Sequence, residues 1–135
     1  MPFAPSAEPL PVAALVVGYM PETAALDALL LRLIPEVRRV ILLDNGGAAG
    51  FLSEQPAARA RVQYVDMQGN RGLGAALNRG MREARAAGLR YVATFDQDSA
   101  PPSGMVAALY QALREIQGRG THCAAVGPTF HDRRE

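Results

Sequence analysis

"YVATFDQDSAPP", residues 91–102, passes from apolar to acidic within five residues. Residues 91–95 have the composition of a sheet interior. Asp96 and Asp98 then emerge with one residue between them, and Pro101 and Pro102 forbid the strand to continue. Two carboxylates at a strand end repel each other and resist desolvation, so the placement needs a compensating gain. Side chains alternate along extended backbone, which turns Asp96 and Asp98 the same way. Such a pair suits a hard divalent cation: Mg²⁺ or Mn²⁺ takes one or two carboxylates and completes its shell with phosphate oxygens. The same residues also suit a solvated turn in which Asp98 or Ser99 caps the next helix.

Four more runs rich in β-formers end at glycine or an acid: residues 12–18, 39–44, 62–66 and 123–127. Helical patterns lie between them. Leu26, Leu29, Leu30 and Leu33 share one helix face, and Pro35 stops that helix. Leu73, Leu77, Met81 and Ala84 form a second stripe that ends near Gly88. Met105, Leu109, Leu113 and Ile116 form a third, with Ser103 as its N-cap and Gly118 near its end. Residues 46–61 hold at most a short helix. Strands alternating with helices of this length predict an α/β domain: a Rossmann-like, mostly parallel sheet with helices on both faces. The domain spans 12–128, after a flexible leader of residues 1–11 and before a tail of 129–135.

The composition narrows the function. The chain has 135 residues, is 49% hydrophobic and carries a formal net charge of +1, a balance with no bulk attraction for nucleic acid. One cysteine, Cys123, excludes an internal disulfide and is expected to be a buried strand residue in a reducing compartment. No stretch is long and apolar enough to span a bilayer. All 14 basic residues are arginine, which removes mechanisms that need an ammonium group. His122, His131 and Cys123 show no metal-ligand spacing, and both histidines are expected in solvent.

Open α/β sheets bind ligands outside the carboxyl ends of their strands. The segments leaving those ends are "GYMP", "DNGG", "QGNRG" and "DQDS", all polar, glycine-bearing or both. Tyr19 can stack on a base or serve as core. Asp44 can accept hydrogen bonds from a nucleobase imide or a ribose hydroxyl; equally, Asp44, Asn45 and Gly46 can form a turn. At Asn70, Arg71 and Gly72 the backbone can approach a phosphate at a helix N-terminus, with the Arg71 guanidinium added, or make a tight loop capped by Asn70. Gly80, inside the second helix, costs roughly 1 kcal/mol against alanine and implies close packing.

Taken in order, "VVGYMP", "VILLDNGG", "NRGLGAALNRGM" and "YVATFDQDSAPPSGM" resemble the inverting family 2 glycosyltransferases, the rhamnosyltransferase-like branch above all. That branch has a strand ending in T-Y-N-P, then D-N-G-S, N-x-G-x-x-x-A-x-N and D-Q-D-S. The likeness covers roughly residues 12 to 128; Gly18, Met20 and Gly47 stand where the family has threonine, asparagine and serine. It implies the N-terminal half of a GT-A fold and a nucleoside-diphosphate sugar donor, with dTDP-rhamnose favoured over a uridine-diphosphate sugar. By the family pattern Gly18 and Tyr19 line the base pocket and Asp44 binds the base. Asn70, Arg71 and Gly72 flank the diphosphate. Asp96, Gln97 and Asp98 meet the ribose and diphosphate, with Asp98 and Asp96 on Mg²⁺ or Mn²⁺. The family's acceptor site and general base follow the equivalent of Pro128. The resemblance therefore implies a donor-binding portion, inactive alone, that serves a glycan or lipid-linked acceptor. It also implies a cytoplasmic place near the inner membrane face, and an exposed sheet flank that favours self-association.

Other classes fit less well. A haloacid-dehalogenase-type phosphatase uses an acidic pair on its first strand with a lysine partner; here the pair follows the fourth run and lysine is absent. A response-regulator receiver needs a lysine as well. The order G-x-x-G-x-G in "GNRGLG" is not the dinucleotide fingerprint, and a P-loop lacks its lysine. A nucleotide-binding module without catalysis remains the non-enzymatic reading.

Overall fold

The computed structural model describes residues 8–50 and 56–129. Its core is a parallel sheet of β1 (Leu10–Gly18), β2 (Val37–Asp44), β3 (Val62–Asp66) and β4 (Tyr91–Asp96). The helices are α1 (Thr23–Leu33), the short α2 (Pro56–Arg59), α3 (Leu73–Ala86) and α4 (Met105–Gly118). Strands β1 and β2 each start two residues before their apolar runs. The α/β expectation holds.

Strand order is β3-β2-β1-β4, every pairing parallel. The chain steps outward from β1 to β2 to β3, then crosses back to set β4 on the other side of β1. Order thus reverses between β1 and β4, the point where open sheets of this type form a crevice.

Alternation divides the core in two. Val12, Ala14, Val16, Val40 and Leu42 face Leu26, Leu29, Leu30 and Leu33 of α1 and Val106 of α4. Ala13, Leu15, Ile41 and Leu43 face Ala76 and Ala84 of α3. With both faces covered, β1 and β2 read as continuous apolar runs rather than alternating ones.

Several expectations are corrected. On α3 the buried stripe is Ala76, Gly80 and Ala84, while Leu73 and Met81 are exposed. The helix lies so close to the sheet that a Cβ on Gly80 would meet Leu43 Cδ1 at 2.8 Å and Leu15 Cδ1 at 2.9 Å. Only small residues fit in that gap, and the leucines flank it. The close packing expected at Gly80 is therefore present.

The N-cap of α4 is Gly104, not Ser103, with φ 86°. Its amide donates to Glu36 Oε1 at 2.6 Å, so the acceptor at this helix end comes from the residue just before β2. Residues 123–127 form no strand. The run is mostly alanine and glycine, with little side chain to bury, and β4 pairs only with β1 among the described residues. Cys123 is accordingly half-buried rather than core, its thiol 3.4 Å from the Ala125 carbonyl. His122 is exposed as expected, and His131 lies outside the described residues. No helix among the described residues is long and apolar enough to cross a membrane.

Candidate functional site

Asp44 and Asn45, at the end of β2, are the buried polar residues of the described chain, 4% and 3% exposed. β2 lies between β1 and β3, so a carboxylate at its end is enclosed and must be satisfied from within. Asp44 Oδ1 accepts from the amides of Gly46 at 2.7 Å and Ala48 at 3.2 Å. Asp44 Oδ2 accepts from the Tyr64 hydroxyl. Burial, that hydrogen bond and the charges of Asp44 and Asp66 push the Tyr64 phenol far above its usual pKa, so it remains a donor. This is the turn that "DNG" allowed, with a tyrosine of β3 added.

Asn45 fastens the next loop. Its Nδ2 donates to the Gly72 carbonyl at 3.2 Å, and its Oδ1 accepts from the Arg71 amide at 3.3 Å. Gly72 is the N-cap of α3, and no side chain caps that helix. Asn70 Oδ1 accepts from the Gly72 amide at 2.9 Å, so Asn70 shapes the loop from two residues before the cap. Arg71 folds back: Nε donates to Met67 O at 3.2 Å and a terminal nitrogen to Gln68 O at 3.3 Å.

The loops after β1 and β4 are joined by Gln97. Its Oε1 accepts from the Tyr19 amide at 2.8 Å, and its Nε2 donates to the Tyr19 carbonyl at 3.1 Å. Gly18 is buried beneath; its carbonyl accepts from the Asn45 amide at 2.8 Å, and an added Cβ would sit 3.3 Å from Ala48 Cβ. Gly47, with φ 82°, leaves no room for a side chain against Met20, whose Sδ would lie 2.9 Å away.

These links enclose a cleft of about 330 Å³ at the β1/β4 switch point. Tyr19, Asn70, Gly72, Asp96 and Gln97 line it, with Val17, Asn45 and Leu73. Of the residues marked in the sequence, Gly18, Asp44, Arg71 and Asp98 are not on its wall. Asn45 was legible only as part of a turn; its partners are 26 and 27 residues away. A larger cavity of about 530 Å³ lies at the far end of α4, lined by Gln117, His122 and Cys123 among others. Gln117 accepts from the hydroxyl of Tyr91, where β4 begins, which places that cavity at the amino ends of the strands and away from the polar loops.

Asp96 and Asp98 contrast with Asp44. Both are exposed, and neither carboxylate has a hydrogen-bond or ion-pair partner among the described residues. No group of three or more His, Cys, Asp or Glu that could hold a metal occurs among the described residues. Two uncommitted carboxylates are nevertheless a donor set that fits Mg²⁺ or Mn²⁺, which needs only one or two from protein when phosphate and water supply the rest.

A parallel sheet with a cleft at its switch point, an uncapped helix N-terminus on one wall and the free carboxylate of Asp96 on another, is the architecture of a nucleotide-binding α/β domain. The model of the family "Glycosyl transferase family 2" matches residues 23–130, and the chain belongs to that family. A search of the curated proteins gives no match.

Proposed function

We propose that this cleft holds a nucleoside-diphosphate sugar, with dTDP-rhamnose the favoured donor, for transfer to a glycan or lipid-linked acceptor at the inner face of a membrane. The observation that carries the reading is the placement of Tyr19, the start of α3 and Asp96 around one cleft. The Tyr19 ring, 53% exposed, offers the base a stacking face. The backbone amides that open α3 offer hydrogen bonds to the diphosphate, and Asn45 fixes that helix end at the cleft. Asp44, enclosed and accepting from three donors, acts on the base through the loop it holds.

Asp98 and Asp96 would hold Mg²⁺ or Mn²⁺ at the diphosphate; the cation supplies positive charge where the leaving group becomes more negative. Inversion also needs a base that deprotonates the attacking hydroxyl from the side opposite the leaving group. On this reading the residues of the cleft serve the donor, that base is not among them, and the chain alone binds donor without turning it over. The family assignment gives the phosphatase alternative no support.

Calorimetric titration of thymidine and uridine diphosphates tests the proposal, with and without Mn²⁺, on wild type and Asp98→Ala. Expected is metal-dependent binding that Asp98→Ala weakens at least tenfold and that favours the thymidine nucleotide. Binding indifferent to both metal and substitution would refute it.

A further inference from the structure

We infer that Gln97 is a positioning residue that makes cation binding at the acidic loop and base binding at Tyr19 depend on each other. The inference rests on the donor-binding reading above and adds a coupling between its two halves.

The parallel ladder between β1 and β4 ends at Val17 and Asp96. Beyond it β4 turns away, the Ser99 amide donating to the Asp96 carbonyl at 3.0 Å. The backbone of β4 therefore leaves Tyr19, and the Gln97 side chain takes its place. One primary amide accepts from Tyr19 N at 2.8 Å and donates to Tyr19 O at 3.1 Å. A side-chain amide thus stands in for the peptide group of a paired strand.

The chemistry of the position is restrictive. It needs one acceptor and one donor on a planar group at glutamine length. Glutamate would set a carboxylate oxygen against the Tyr19 carbonyl and lose the donor. Alanine would release Tyr19 from β4 altogether.

What the clamp fixes is the ring on the cleft wall. A Cβ on Gly46 would lie 3.6 Å from Tyr19 Cδ2, so the ring rests over that glycine. The Met20 amide donates to the Gly46 carbonyl at 2.8 Å, which ties the same loop to the end of β2. The other end of the clamp is the backbone between Asp96 and Asp98. A cation drawing those two carboxylates together fixes the Gln97 backbone, and through two hydrogen bonds it fixes Tyr19. By linkage, a base seated on Tyr19 must raise the affinity for the cation by the same factor.

Nucleosides isolate this effect, because without phosphates they share no bond with the metal. Thymidine affinity is measured by equilibrium dialysis with and without Mn²⁺, and Mn²⁺ affinity by electron paramagnetic resonance with and without thymidine. The 135-residue chain is compared with Gln97→Ala and Gln97→Glu. In wild type each ligand is expected to tighten the other about fivefold or more, by equal factors. In both variants the factor falls to near one, whatever the change in either affinity alone. The coupling factor is a ratio, so a loss of stability that leaves the variant folded at the assay temperature does not change it; the thermal midpoint of each variant is recorded to establish that. Coupling that survives in Gln97→Ala, or wild type that binds both ligands independently, overturns the inference and leaves the donor-binding reading standing. Wild type that binds neither thymidine nor Mn²⁺ overturns both.

Discussion

Replacing Tyr64 by phenylalanine removes one oxygen and, with it, the donor that Asp44 Oδ2 finds among the described residues. The acceptor is a carboxylate on a residue 4% exposed, so water cannot easily replace the lost hydroxyl. Hydrogen bonds to charged groups contribute about 1.5–3 kcal/mol, and the expected loss at neutral pH is ~2 kcal/mol. That is a large share of an ordinary domain's stability and corresponds to a fall in melting temperature on the order of 10 °C. The pH dependence offers a second, independent reading. The Tyr64 phenol is raised above its ordinary value in the folded chain, first by burial and then by Asp44. On raising pH, the unfolded chain therefore loses this proton before the folded one does. The stabilisation is fully present below pH about 10 and declines above it, by up to ~1.4 kcal/mol per pH unit. The other tyrosines are common to both proteins and cancel in the difference. Urea unfolding of wild type and Tyr64→Phe from pH 7 to 11.5 should show a gap of ~2 kcal/mol that narrows above pH about 10. Equal stability at pH 7, or a gap constant across the whole range, would refute the account of Asp44 as a carboxylate satisfied from β3.

The two glycines of α3 should respond in opposite directions. Gly80→Ala gains about 1 kcal/mol of helix propensity but drives a methyl into the fully buried Leu15 and Leu43, where overpacking costs about 1–3 kcal/mol; denaturant midpoints should fall. Gly74→Ala meets no heavy atom within 4 Å and should be neutral or more stable by up to ~1 kcal/mol. Asn45→Ala takes the acceptor from the Arg71 amide and leaves the Gly72 carbonyl with the Ala76 amide alone among the described residues, costing about 1–3 kcal/mol. Hydrogen exchange should show faster loss of protection at Arg71 and the start of α3 than at β1, and uniform change across the sheet would count against a local link.

The strand ends were readable because each apolar run stops at a glycine or an acid, and the parallel sheet followed from run and helix lengths alone. The helix faces were less readable. A hydrophobic stripe predicts burial only where the helix stands off far enough to seat large side chains, and α3 does not, so Ala76 and Gly80 go inward and Leu73 and Met81 outward. Residues 123–127 have a strand's composition but little bulk, and no local pattern reveals whether a partner edge is within reach. The site divides in the same way. Asp96 and Asp98 were conspicuous as paired acids. The partners of Gln97 and Asn45 lie 78 residues away in one case and 26 or 27 in the other, a relation that only the fold creates.

Position in the sheet explains why acids of the same type do opposite work. Asp44 ends a strand flanked on both sides, so its charge is enclosed and its oxygens go to the loop amides of Gly46 and Ala48 and to Tyr64 of β3. Asp96 ends a strand that pairs on one side only among the described residues, so its carboxylate can stay in water, uncommitted, at small cost. Two uncommitted acids with one residue of sequence between them repel, which makes them a liability to the folded chain until something positive arrives. Neutralising either should therefore leave the empty protein as stable or slightly more stable, whereas neutralising Asp44 should weaken it. Melting temperatures of Asp96→Asn, Asp98→Asn and Asp44→Asn, taken without added metal, test the contrast directly. If the first two fell as far as the third, the outer acids would be structural, and the case for a cation at this edge would lose its physical basis.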